Sequence, residues 1–460
     1  MISGFAISRG EGDDRRRPGG RAMNRHEVVS RVAVDRMIVT GHRIECPLDW
    51  DRPGESETIS VFAREVVAAE KVDDRRLPMI CWYQGGPGME FGFPASRSAW
   101  LEQLLTRYRV LLLDQRGTGA STPLEARAMP RADPAELAAY LSHFRADSIV
   151  RDAECFRSVL LGDDAGWYLF GQSFGGFCSL THLSFLPEHV IGVIITGGFA
   201  PVLHEADAVY AVLADRVAER NADFLARFPG DAARVRWLVD HLESAHDVDA
   251  YGQRLTAPAF LALGTCLGHL HGAAELHGIV ERAADDLGAL GMLGGSVHQQ
   301  VAALMSPATN PIYSLLQEAC YAQGGPTRWA AARVIAADPR YALDAEPAAC
   351  FTGEMMFPWM FEEWAPLRPF RDAAEMLASR VSWPPLYDVD RLRGNRVPVV
   401  GAVYWNDPYV ERGLALETAG LLGNCEVWIT NQHEHQAYRV TPAPVAERLF
   451  AMLDQRRAQS

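Results

Sequence analysis

Six short β-rich runs recur through the first half of the sequence: "RMIVTGHRIECPLDW", "TISVFAREVV", "LPMICWYQ", "YRVLLLDQ", "GWYLFGQ" and "VIGVIITGG". Several are continuously apolar, the pattern of strands covered on both faces. Between the later runs lie helix-like stretches such as "SRSAWLEQLLTR" and "DSIVRDAECFRSVLLG". In the second of these, apolar residues recur at Ile149, Val150, Ala153, Phe156, Val159 and Leu160. Strand, helix, strand alternation implies crossover connections and therefore a mostly parallel sheet. From about Pro201 to Asp390 the chain turns alanine-rich and helical, broken by Gly and Pro. Strand signals then return in "VPVVGAVYWND" and "CEVWIT", and an amphipathic segment, "APVAERLFAMLDQ", follows. The expectation is an α/β fold with a mostly parallel eight-stranded sheet. Residues 29–200 form the first part of its core, 201–390 an inserted helical cap, and 391–460 the second part.

With 460 residues and 48% hydrophobic content the chain can bury a large core. A net charge of -14, with no long basic run outside the N-terminal arm, argues against a nucleic-acid partner. Small-molecule or peptide chemistry is the expectation. Eight cysteines (46, 81, 155, 178, 266, 320, 350 and 425) are scattered singly, without the CxxC spacing of a zinc or redox site. They read as reduced core thiols of a cytoplasmic protein. No apolar run reaches the roughly 18 residues of a membrane span. The opening "MISGFAISRGEGDDRRRPGGRAMN" lacks an uninterrupted apolar core of a secretory signal, and Met23 is an alternative start. Its Arg, Gly and Asp content predicts a disordered arm over residues 1–28.

Gly171-Gln172-Ser173-Phe174-Gly175 matches G-x-S-x-G, in which serine caps a sharp strand-to-helix turn and glycines remove the Cβ clashes of that turn. An ordinary glycine-rich turn has the same letters. Here, however, the motif follows an apolar run and precedes a helix-like one. A serine hydroxyl is a poor nucleophile at neutral pH and needs a base, itself oriented by a third group. In this chain order the acid is followed by the histidine. Asp407 stands just past one returning strand, and "HEH" offers His433 and His435 just past the next. Asp388 and Asp390 compete weakly for the acid role, because they precede a strand instead of ending one. An acyl-transfer oxyanion needs preset N–H donors. "QGGPG", residues 84–88, supplies a loop for them, with the Gly86 and Phe174 amides assigned and Gly85 the fallback. Asp114 and Arg116 in "DQRGTGAS" are expected to pin loops beneath the site.

In this order "QGGPG", "LLLDQRGTGAS", "GWYLFGQSFGGF", "FTGEMMFPWMFEE" and "WITNQHEH" resemble a proline iminopeptidase (prolyl aminopeptidase) of the longer bacterial type, over most of residues 35–455. The resemblance implies an α/β-hydrolase core with a helical cap after the sixth core strand. It implies release of N-terminal proline from peptides through an acyl-enzyme on Ser173, Asp407 and His435, with no cofactor and no metal. The family's histidine follows an acidic residue, which favours His435. A cap carboxylate would read the free amino group; Glu354 matches that position best, with Glu362 and Glu363 as further candidates. Phe357, Trp359 and Phe361 either wall a proline pocket or pack the cap. Gln84 stands where many relatives carry histidine, and "NQHEHQAYR" departs slightly from the aromatic that usually precedes the final Glu-His. His269, His271 and His277 in "HLHGAAELH" have mixed metal-like spacing without a completing carboxylate or cysteine. Rival readings are an esterase or amidase without proline preference and a catalytically silent binding protein. The oligomeric state is left open.

Overall fold

The computed structural model describes residues 25–125, 133–245, 247–249, 252–304 and 310–459. All eight apolar runs form strands: β2 (Met37–Pro47), β3 (Thr58–Ala68), β4 (Met79–Tyr83), β5 (Arg109–Asp114), β6 (Trp167–Gln172), β7 (Val190–Thr196), β8 (Val399–Tyr404) and β9 (Cys425–Thr430). A ninth, β1 (His26–Val34), precedes them, so the sheet has nine strands and not eight, in the order β1-β2-β3-β5-β4-β6-β7-β8-β9. Strands β5, β4, β6, β7, β8 and β9 run parallel, while β3, β2 and β1 extend the edge as an antiparallel meander.

The extra strand corrects the expected disorder of residues 1–28, since pairing begins at His26; residues 1–24 lie outside the described residues. It carried little apolar signal because it is an edge strand exposed along most of its length. Its turn is a two-residue hairpin in which Asp35 and Arg36 both have positive φ (43° and 60°). This is the geometry of a type I′ turn, usually announced by Asn-Gly.

Successive residues of a strand face opposite sides of the sheet, and β4 shows why its run is unbroken. Ile80 and Trp82 pack with the helices Ala99–Leu105 and Pro442–Gln459 on one side. Cys81 and Tyr83 pack with the helices Ala146–Leu161 and Phe174–Phe185 on the other. Between β7 and β8 the described residues form helices, among them Ala206–Arg227 and Gly272–Leu290, with one isolated bridge, Val248 to Arg254.

Register aligns the carboxyl ends of the central strands. Tyr83 lies beside Gly171, Gln172 beside Thr196, and Tyr404 beside Thr430. The loops that follow β4, β6, β8 and β9 therefore emerge along one edge. The chain leaves β4 for β5 on one side and returns to β6 on the other. That reversal opens a crevice at the carboxyl ends of β4 and β6, where open α/β sheets bind ligands.

Candidate active site

Ser173 is the hinge between β6 and the helix Phe174–Phe185, at φ 54° and ψ -127°. A non-glycine residue held there costs on the order of 1–3 kcal/mol, and such strain gathers at functional sites. The flanking packing enforces it. A Cβ on Gly175 would lie 2.0 Å from the Tyr83 carbonyl oxygen, so the helix can approach β4 this closely only with glycine at that position. The Ser173 amide donates to the Thr196 carbonyl (3.0 Å), which ties the hinge to β7.

Two loops away, His435 Nδ1 lies 2.7 Å from Asp407 Oδ2, and both side chains are buried. A carboxylate only accepts, so Nδ1 carries the proton and Nε2 is left with a free lone pair. The other oxygen of Asp407, Oδ1, accepts from the amides of Tyr409 (2.9 Å) and Val410 (3.1 Å). These two bonds fix the plane of the carboxylate. Burial opposes the charged imidazole, but the negative charges of Asp407, Glu354 and Glu434 outweigh it and hold His435 above the usual histidine range.

Ser173, His435, Gly85, Gly86 and Glu354 line a single cavity of about 340 Å³. Of the two glycine amides offered for the oxyanion, that of Gly85 is turned back to the side-chain oxygen of Gln84 (3.2 Å). Gly86 has φ +116°, which few other residues adopt. Phe174 opens its helix, where amides have no partner within the helix.

Glu354 reaches the cavity from the helical region. Tyr313 OH donates to its Oε1, and Gln317 also hydrogen-bonds to the carboxyl. Burial pushes its pKa up to about 7, against the lowering effects of Tyr313 and His435. A half-protonated carboxyl at neutral pH, facing a cavity, is a group that a bound cation would ionise.

Residues 84–237 match the alpha/beta hydrolase fold family. A proline iminopeptidase of Aeromonas sobria is 43% identical over 412 residues, covering 89% of this chain and 95% of that protein. A proline iminopeptidase of Aspergillus aculeatus is 36% identical over 422 residues, covering 90% and 93%. The chain belongs to the proline iminopeptidase family.

Within this proline iminopeptidase family member most of the other sequence candidates fall elsewhere. His433 turns to Thr441 (3.1 Å) and packs edge-on against Trp428. Asp388 caps the helix Val389–Arg393, and Asp390 pairs with Arg393. Glu363 accepts from Thr256 (2.8 Å), and Glu362 is exposed. Phe357 stacks on Trp359, while Phe361 packs against Trp329, so these aromatics serve the interior of the helical region. Asp114 accepts the amides of Phe91 and Ala120. Arg116 bonds Asp152 through Nε and Nη2 (2.7 and 2.6 Å), and both residues are buried. Arg116 also donates to the Leu48 and His143 carbonyls (2.8 Å each), so each residue ties separate loop segments together. Of the three spaced histidines, His269 lines the cavity, whereas His277 pairs with Asp231 (2.8 Å) and stacks on Phe228.

The walls that sequence reasoning missed stand between Ser173 and Glu354. Phe174, Phe177, Cys320, Tyr321, Tyr409 and Val410 close a narrow recess there, of about 10 Å³, room for about one water molecule. They come from three separated segments, and no local spacing in the sequence marks them as a group. The one available signal was proximity to the motifs: Phe174 and Phe177 follow the serine, and Tyr409 and Val410 follow Asp407.

Proposed function

We propose that this chain is a serine exopeptidase that releases N-terminal proline from peptides. The pyrrolidine ring lies in the 340 Å³ cavity that Ser173 and Glu354 both line. The secondary ammonium of the substrate meets the Glu354 carboxylate, a charge-assisted contact that an acylated N-terminus cannot make. His435 Nε2 takes the Ser173 proton as Oγ attacks the proline carbonyl carbon, and the Gly86 and Phe174 amides hold the oxyanion. The C–N bond then breaks, with the His435 proton passing to the leaving amine. Water attacks the acyl-enzyme by the same route and releases proline. Asp407 holds the imidazole in the needed tautomer throughout.

The observation that carries this reading is the convergence of Ser173, the His435–Asp407 pair and Glu354 on one cavity in a chain of the proline iminopeptidase family. In this reading residues 201–390 act as a cap that limits access to a chain end, and residues 29–200 and 391–460 form the core beneath it. The eight cysteines are all free thiols, which supports a cytoplasmic setting. No helix among the described residues is long and apolar enough to cross a membrane. The test is cleavage of a proline arylamide by the Ser173→Ala variant. A loss of turnover with the fold intact is expected, and substantial residual turnover would remove Ser173 from the reaction.

A further inference from the structure

Arg439, in the short helix Ala437–Val440 that follows His435, lines the same cavity without a charged partner. Among the described residues no Asp or Glu forms an ion pair with it. Its Nη2 donates to Gln84 Oε1 (2.6 Å) and its Nε to Gln172 Oε1 (3.0 Å). The guanidinium carbon lies 5.2 Å from the Trp82 ring centre and 5.3 Å from that of Trp100. A largely buried guanidinium without a carboxylate is costly, so packing stability alone is a poor reason for its placement.

What it touches gives a better one. Gln84 opens the oxyanion loop, and Gln172 directly precedes Ser173. The Gln84 oxygen that accepts from Arg439 also accepts the Gly85 amide. Gln84 is held at its other atoms too: Nε2 donates to the Glu90 carbonyl (3.3 Å), and its own carbonyl accepts from Gln115 Nε2 (3.1 Å). With the Gly85 N–H pinned to that side chain, the peptide plane between residues 84 and 85 is fixed. The direction of the Gly86 N–H then depends only on the torsions of Gly85. One planar fork thus sets the spacing between the loop after β4 and the hinge after β6, from an anchor four residues past His435. A lysine ammonium lacks the flat two-donor fork that spans both acceptors.

We infer that Arg439 is a positioning residue for the oxyanion loop, acting through the side chains of Gln84 and Gln172. The inference rests on the proposed roles of Ser173 and Gly86. It predicts a selective loss of transition-state stabilisation, because misplacing a donor by about 1 Å costs roughly a hundredfold while ground-state contacts to ring and cation remain.

The test uses the full chain with Arg439→Met, Arg439→Lys and Gln84→Leu, measured on a proline arylamide. Inhibition by pyrrolidine, which has the ring and the cation but no carbonyl, is measured in parallel. Arg439→Met and Gln84→Leu should each lower kcat by about ten- to a hundredfold, with KM and the pyrrolidine inhibition constant within about twofold. Arg439→Lys should recover part of kcat, and the Met/Leu double variant should be no slower than the slower single variant, since both cut one linkage. Unchanged kcat in a folded Arg439→Met protein would overturn the inference, as would parallel losses in kcat and pyrrolidine binding or fully additive effects. If Arg439→Met does not fold, Gln84→Leu decides alone, and an unchanged kcat there is equally fatal. Ser173→Ala in the same series separates the two claims: turnover in that variant sinks the proposed reaction itself, whereas its absence with a normal Arg439→Met sinks only the role of Arg439.

Discussion

His435 Nδ1 and Asp407 Oδ2 are 2.7 Å apart across 28 residues of sequence, and neither side chain is exposed. The carboxylate is already oriented by two backbone amides before it meets the imidazole. Asp407→Asn would keep the shape but lose the acceptor, allowing the ring to adopt the wrong tautomer. We expect kcat on a proline arylamide to fall by roughly 10³–10⁴-fold, with little change in thermal unfolding. A loss under tenfold would mean that Asp407 does not orient the base.

The pH profile should carry the signature of two coupled groups. His435 acts as a base only when neutral, and burial is outweighed by Asp407, Glu354 and Glu434, so its proton leaves above the usual histidine range. Glu354 holds a cation only when ionised, and burial raises its pKa to about 7. Both must be deprotonated, so kcat/KM should fall toward acid with a slope steeper than one proton, the two titrations belonging to the pair. Glu354→Gln should leave a single-proton limb, shifted to lower pH because one negative charge that holds the His435 proton is gone. A wild-type slope of one, unchanged in the variant, would separate Glu354 from substrate binding.

Two glycines should respond in opposite directions to alanine. At Gly175 the new Cβ would fall 2.0 Å from the Tyr83 backbone, which cannot move without dragging β4. Gly175→Ala is expected to lose several kcal/mol or fail to fold. Gly278 lies on the exposed face of the helix Gly272–Leu290 with nothing within 4 Å of the added atom. Gly278→Ala should stabilise by about 0.4–1 kcal/mol, read as a higher denaturant midpoint at unchanged activity.

The core strands were legible because burial on both faces writes an unbroken apolar run, as in β4 and β6. Strand β1 was not: exposed Glu27, Ser30 and Arg31 interrupt its valines, and its turn uses Asp35 and Arg36 where a glycine would have announced it. Ser173, Asp407 and His435 could be singled out because each stands within a few residues of the end of a strand that the sequence marks. The choice between His433 and His435 rested on resemblance, and the coordinates place His435 alone against Asp407. The recess behind Ser173 was unreadable, since Tyr321 and Val410 meet only through the packing of the helical region over the sheet. The aromatics around Trp359 left a pocket wall and cap packing equally open, and in the structure Trp359 packs against Phe357 and Trp364. Aromatic spacing alone does not distinguish a wall from a core.

The claim that Glu354 reads a free amino group is tested most directly by comparing kcat/KM for proline arylamide and its N-acetyl derivative, on the wild type and on Glu354→Gln. A charge-assisted contact worth about 1.5–3 kcal/mol predicts that the wild type favours the free amine by at least ten- to a hundredfold, and that the variant loses most of this preference. Equal rates on the two substrates in the wild type would contradict the account.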